Sequence, residues 1–225
     1  MAGKRHRRRG RKRNFRLPVR YLLAGVLAVG LAAGLAAGLI RRVSGPEAEG
    51  VAMPDYVTRE LLTVNQWSRP GTPLEKIDGV VIHYVGNPGT SAEANRNYFE
   101  SLSSGADGVY ASSHFIVGLE GEVLECVPLT EIAYASNSRN QDTVSIEVCH
   151  PDETGEFSTV TYDRVVELTA WLCREFHLDP ETDVIRHYDV TGKDCPRYYV
   201  ENPEAWERLL LDVSAEMTAA ERNAG

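Results

Sequence analysis

The chain has 225 residues, 43% of them hydrophobic and 25% charged, with four cysteines and a formal net charge of −8. That length admits one domain of ordinary size plus appendages. No internal repeat is present, and the cysteines at 126, 149, 173 and 195 lack the paired short spacings of a structural zinc finger.

Charge is unevenly placed. Residues 1–42 hold 12 of the 24 Lys+Arg and no acid, so the remainder carries 12 bases against all 32 acids, a net of −20. A basic arm alone suggests nucleic acid, but an apolar run follows it directly and points to a membrane instead. Leu17 to Ile40 is broken only by Arg20. Val19–Ile40 is 22 residues, enough at ~1.5 Å per residue to cross a hydrocarbon core of roughly 30 Å. Ten bases lie at or before Arg20 and two, Arg41 and Arg42, follow the run. The positive-inside rule then puts the N-terminus in the cytoplasm and the acidic body outside. The expected organisation is a basic cytoplasmic tail at 1–16, a transmembrane signal-anchor at 17–42, a linker at 43–60 and a domain at 61–225. A cleaved signal, with a cut near Ala36-Ala37-Gly38, leaves a secreted body and is the alternative.

Within the body, the β-branched run Gly79–Val85 predicts a buried strand. Ser91 is placed to cap a helix that Gly105 ends. Ser113–Leu119 and Glu122–Val127 flank Glu120-Gly121, a hairpin signal. Thr143–Cys149 predicts another strand. Val165, Leu168, Leu172 and Phe176 keep helical spacing, so 160–177 is an amphipathic helix. Val184–Arg186 predicts a short strand leading into a loop over 187–199. Asn202 and Pro203 open a last helix whose apolar face is Trp206, Leu209, Leu210, Val213 and Met217. Strands alternating with helices give an α/β fold with a central mixed sheet flanked by helices.

His83 closes the first strand, and His187 and Cys195 follow about a hundred residues later. Two imidazoles and a thiolate are three ligands of a tetrahedral Zn2+ site, and a three-ligand set marks a catalytic rather than a structural site. With Cys195 used so, three cysteines remain, and Cys149 and Cys173 read as buried free thiols. Glu147, between Ile146 and Val148, reads on its own as a solvent-facing carboxylate. Lys193 shares a direction with Cys195 at i, i+2 in an extended loop, and on its own reads as a solvated lysine. His150 and His177 read as surface or helix-end residues.

Four stretches carry a family resemblance: Val80-Val81-Ile82-His83-Tyr84, Ser113-His114-Phe115-Ile116-Val117, Ser145-Ile146-Glu147-Val148-Cys149, and Val184-Ile185-Arg186-His187 with Lys193-Asp194-Cys195-Pro196. In that order they resemble the type 2 N-acetylmuramoyl-L-alanine amidases, the zinc-dependent family of bacterial autolysins, phage endolysins and peptidoglycan recognition proteins. The resemblance implies a hydrolase that cuts the amide between N-acetylmuramic acid and L-alanine in peptidoglycan. It implies Zn2+ on His83, His187 and Cys195, with Glu147 handling the proton of the attacking water and Lys193 at the oxyanion. Ser113 stands where other branches carry a tyrosine, so a tyrosine role is not carried over. His114, Tyr84 and Asn87 are candidates for the substrate cleft; a satisfied strand histidine is an equal reading of His114, core packing is the plainer reading of Tyr84 and turn chemistry that of Asn87. The expected partner is the muramyl stem peptide, with no nucleic acid and a monomeric chain. A non-catalytic peptidoglycan receptor of the same fold and a thiol hydrolase using Cys195 are the alternatives.

Overall fold

The computed structural model describes residues 48–224. The expected tail at 1–16, the spanning segment at 17–42 and the front of the linker lie outside them. Among the described residues, no helix is long and apolar enough to cross a membrane.

Six strands form one sheet: β1 (Val57–Arg59), β2 (Val80–Tyr84), β3 (Phe115–Val117), β4 (Val123–Glu125), β5 (Val144–Val148) and β6 (Val184–Arg186). Their spatial order is β1-β4-β3-β5-β2-β6. Only the β3–β4 hairpin is antiparallel; β1–β4, β3–β5, β5–β2 and β2–β6 run parallel. The hairpin turns at Gly118–Gly121, where Gly121 takes φ +78 and Gly118 N–H donates to the Glu122 carbonyl at 2.8 Å. The helices are α1 (Ala92–Ser101), α2 (Thr159–Phe176), α3 (Pro180–Asp183), α4 (His187–Thr191), α5 (Arg197–Glu201) and α6 (Pro203–Ala224). Ser91 caps α1 by accepting from Ala94 N–H, and Ser158 caps α2 by accepting from Thr161 N–H.

Two expected boundaries are corrected. Residues 187–199 are not a plain loop, because α4 and α5 lie within them. The body also starts before Leu61. β1 pairs with β4, and Met53 and Tyr56 pack against the main core.

The sheet is covered on both faces, and alternation along each strand sorts the residues. Val80 and Ile82 of β2, Val144, Ile146 and Val148 of β5, and Phe115 and Val117 of β3 face the larger core. There they meet Val165, Leu168 and Leu172 of α2 and Trp206, Leu209 and Val213 of α6. The odd positions of β2 and β5 face the other way. Val85, Cys149, Ile116 and Leu124 build a smaller core with Ala92 and Phe99 of α1. His83 and Glu147 belong to this second face, which α1, loops and the start of α4 cover among the described residues.

His114 sits on the same face and is a structural residue. It is 1% exposed. Ser145 N–H donates to its Nδ1 at 3.0 Å, and its Nε2 lies 2.9 Å from the Glu131 carbonyl. The carbonyl requires a proton on Nε2 and the amide requires a lone pair on Nδ1, so the ring is neutral and both nitrogens are used. Its expected place in the substrate cleft is therefore corrected: a sealed ring with no free nitrogen has nothing to offer a ligand. Burial holds its pKa down from 6.5 to about 4. The unfolded chain therefore takes the proton first as pH falls. Stability is whole above pH ~6.5 and drains away between ~6.5 and ~4, by about 3 kcal/mol for this ring. Urea unfolding of the native chain and His114→Gln should show their stability gap narrowing by about that much from pH 6.5 to 4. Parallel curves would remove His114 from the acid response.

Candidate metal centre

β2, β5 and β6 run parallel, and their C-terminal ends open on one edge of the sheet, where α/β folds collect their chemistry. His83 is the fourth residue of β2 and is 2% exposed. Its register partner on β5 is Glu147. Strand β6 is short and ends where α4 begins, so His187 emerges directly from the sheet as the first helical residue. Arg186 fixes that corner. Its N–H donates to Asp189 Oδ2 at 2.9 Å, its guanidinium donates to both Asp189 oxygens, and its Nη1 donates to the Tyr199 carbonyl at 3.0 Å.

Gly192, at φ +75, ends α4 and turns the chain back. Tyr188 N–H then donates to the Cys195 carbonyl at 2.9 Å, which closes the loop and brings the thiol beside the imidazoles. Cys195 Sγ lies 3.9 Å from His83 Nδ1. The His83 and His187 rings are 4.5 Å apart, centroid to centroid. One donor atom from each of His83, His187 and Cys195 falls within 4.8 Å of the others, and all three residues are buried.

The electrostatics fit a cation. Burial holds His83 well below 6.5, helped by the charges of His187 and Lys193, and it lowers His187 as well. Neutral imidazole is the ligating form. Burial pushes the Cys195 thiol up to about 12, with Glu147 adding to the rise, against pulls from the Tyr84 backbone N–H and Lys193. A thiolate in that setting needs a positive charge against it, which a metal supplies. Glu147 is half-buried, yet its Oε2 is sealed from solvent and has no hydrogen-bond partner. Burial pushes its carboxyl up to about 8, and Lys193 is the one charge pulling it back down.

The remaining expected residues separate. Lys193 is exposed, two residues before Cys195, and its charge bears on His83, His187, Glu147 and Cys195 alike. Tyr84 follows His83, so it leaves β2 on the opposite face. It packs against the larger core, with its ring 5.1 Å from His150 and the Arg197 guanidinium 5.8 Å above it. That placement corrects its expected role in the cleft. Asn87 sits in the exposed turn after β2, where its carbonyl accepts from Thr90 Oγ1 at 2.7 Å. His150 is not a surface residue: it is 2% exposed and its ring nitrogens meet the Asp152 and Val85 carbonyls. Cys126, Cys149 and Cys173 are buried free thiols.

Two residues at the site carry no signal in the sequence. Ser136 Oγ lies 3.1 Å from His83 Nε2, and Asn137 Oδ1 lies 3.0 Å from His187 Nε2. A polar Ser-Asn-Ser-Arg-Asn run reads only as a turn, and nothing in it points to the two histidines.

Comparison with known proteins points to one family. The chain is 32% identical over 181 residues to N-acetylmuramoyl-L-alanine amidase BlyA of Bacillus subtilis (strain 168), covering 72% of this chain and 47% of that one. It is 35% identical over 156 residues to a probable N-acetylmuramoyl-L-alanine amidase of Bacillus licheniformis, covering 64% and 43%. The chain thus spans less than half the length of the curated relatives it matches. Among solved structures, PlyL superposes with a TM-score of 0.60 at 19% identity, over 70% of this chain and 96% of PlyL. The catalytic domain of XlyA gives 0.57 at 22% identity, over 68% and 98%. These two likenesses establish the fold. The sequence pattern of the N-acetylmuramoyl-L-alanine amidases matches residues 73–198, a span that takes in His83, Glu147, His187 and Cys195. With more than half its length inside that pattern, the chain belongs to the type 2 N-acetylmuramoyl-L-alanine amidase family.

Proposed function

We propose that this chain hydrolyses the amide joining N-acetylmuramic acid to the L-alanine of the peptidoglycan stem, with Zn2+ held by His83, His187 and Cys195. The observation that carries this reading is the buried cluster of three donors beside a sealed carboxylate oxygen that lacks a partner. Two nitrogens and one sulfur suit zinc. When bound, zinc supplies Lewis acidity toward the scissile carbonyl and eases the ionisation of water.

The chain's own residues do the rest. Glu147, in register with His83, accepts the proton of the attacking water and returns it to the leaving nitrogen. Lys193 offers its ammonium to the negative charge that develops on the carbonyl oxygen. An aromatic cluster that includes Tyr134 offers the substrate a stacking surface. Tyr134, two residues before Ser136, meets Tyr110 edge-on with centroids 5.5 Å apart, and Tyr110 lies 4.6 Å from Trp67. Tyr110 is 55% exposed.

Both alternatives lose ground. A thiol nucleophile needs a depressed pKa, and Cys195 is buried and pushed the other way. A receptor without catalysis has no use for a complete donor set and a carboxylate oxygen buried without a partner.

We further propose that the run at 17–42 anchors the chain in the cell membrane with residues 61–225 outside, where peptidoglycan lies; the monomer remains the simplest state. The support is the length of the run and the ten bases against two across it.

Mass spectrometry of digested cell walls should show free L-alanine amino termini and intact glycan strands. Glu147→Gln and Lys193→Ala should each lose about 10²–10³-fold in turnover. As a base, Glu147 must be ionised, and burial raises its pKa above 4.5. The acid limb of kcat/KM should therefore lie above pH 4.5, and Lys193→Ala should move it higher, since Lys193 is the charge that holds it down. Near-native rates for Glu147→Gln, or a limb unmoved in Lys193→Ala, would place the proton transfer elsewhere.

Protease added to wall-stripped cells should remove the body and leave a short membrane-bound stub. Full protection would contradict the orientation, and a soluble form beginning near Leu39 would show a cleaved signal.

A further inference from the structure

Each candidate ligand histidine has a second ring nitrogen, and both of these nitrogens are held by one turn. Asn137 Oδ1 is 3.0 Å from His187 Nε2. A carboxamide oxygen only accepts, so Nε2 must carry the proton and the lone pair must sit on Nδ1. Ser136 Oγ is 3.1 Å from His83 Nε2, while His83 Nδ1 faces Cys195 Sγ. The two rings therefore present the same nitrogen, Nδ1, and their two supports are consecutive in sequence.

The turn is itself well braced. Asn140 Oδ1 accepts from Ser136 N–H at 2.6 Å and Ala135 N–H at 3.2 Å. Arg139 N–H donates to the Ser136 carbonyl at 2.9 Å, and Asn140 N–H to the Asn137 carbonyl at 3.2 Å. Ser136 is 1% exposed. Asn137 adopts φ 52, one of two non-glycine residues with positive φ among the described residues. Glycine would take that backbone at lower cost, but glycine has no oxygen to give His187. A residue kept in a costly conformation whose side chain meets a candidate ligand is a mark of function.

We propose that Ser136 and Asn137 are the positioning residues of the metal centre, with Asn140 as the brace that aims them. Asn137 fixes the tautomer of His187, and the two residues together fix the tilt of both rings so that both Nδ1 atoms meet the Cys195 sulfur at one point. They touch neither substrate nor metal. The inference rests on the zinc reading above, and it goes beyond that reading in naming what makes the ligand geometry rigid.

The test is zinc affinity, measured by chelator competition on the full-length chain, with thermal melting of the metal-free protein alongside. Asn137→Gly relieves the positive φ and removes the acceptor. It should leave metal-free melting unchanged or raised, yet weaken zinc by about 10–100-fold, the usual cost of losing such a support. Asn137→Asp keeps an acceptor oxygen and should stay within a few-fold of native. Ser136→Ala should weaken zinc in the same sense as Asn137→Gly, and gives the reading a second variant should that one misfold. Native affinity in Asn137→Gly, or equal loss in Asn137→Gly and Asn137→Asp, would overturn the positioning role alone. A native chain that takes up no zinc would overturn the zinc reading and this inference with it.

Discussion

Strand β2 lies between β5 and β6, and its register with both decides where every candidate reacting group ends up. Val81 pairs with Ser145 and Ile185, and His83 pairs with Glu147. The side-chain period of a strand is two, so a slip of one residue would turn His83 into the core beneath α2 and α6 and bring Ile82 to the site. Continuous apolar packing on the larger face prevents that slip. Val80, Ile82, Val144 and Ile146 are all fully buried there, and moving a histidine among them would strand two ring nitrogens without partners. The hydrophobic core thus sets the chemistry indirectly: it holds the one register in which an imidazole and a carboxylate stand side by side on the other face.

That second face works in low dielectric. Burial disfavours every charge it holds: it lowers the two imidazoles and raises the thiol and the carboxyl. Lys193, at the exposed edge, is the cation that bears on all of them. The protein therefore keeps four ligating or proton-carrying groups close together with little self-repulsion. A bound cation would then shift their common balance toward thiolate and carboxylate. Elsewhere the same burial builds inert structure. His114 is neutral with both nitrogens bonded, and Cys126, Cys149 and Cys173 are pushed up to about 12.

Much of this was legible in the sequence where a single local rule applies. The run of β-branched residues at 79–85 marks β2, and the heptad-like spacing of Val165, Leu168, Leu172 and Phe176 marks α2. Pro203 marks the start of α6. What failed to show depends on contacts distant in sequence. β1 is three residues long and forms only because β4 offers an edge. α4 and α5 are five residues each, too short for a periodic signal. The Arg186–Asp189 pair holds the start of α4, and the Arg186 guanidinium donates to the Tyr199 carbonyl of α5. The Ser136–Asn137 turn was invisible as a functional element because its partners lie 53 and 50 residues away. Tyr84 follows His83 in sequence, and that adjacency alone sends its side chain to the other face of the strand.

The proposed activity requires one metal ion held by two imidazoles and one thiolate, drawn from β2, the start of α4 and the loop after it. X-ray absorption at the zinc edge, on the chain loaded with one equivalent of zinc, tests it most directly. One sulfur at about 2.3 Å and nitrogen scatterers at about 2.0–2.1 Å with imidazole outer shells are expected. A first shell without sulfur, or one with two or more sulfurs, would contradict it.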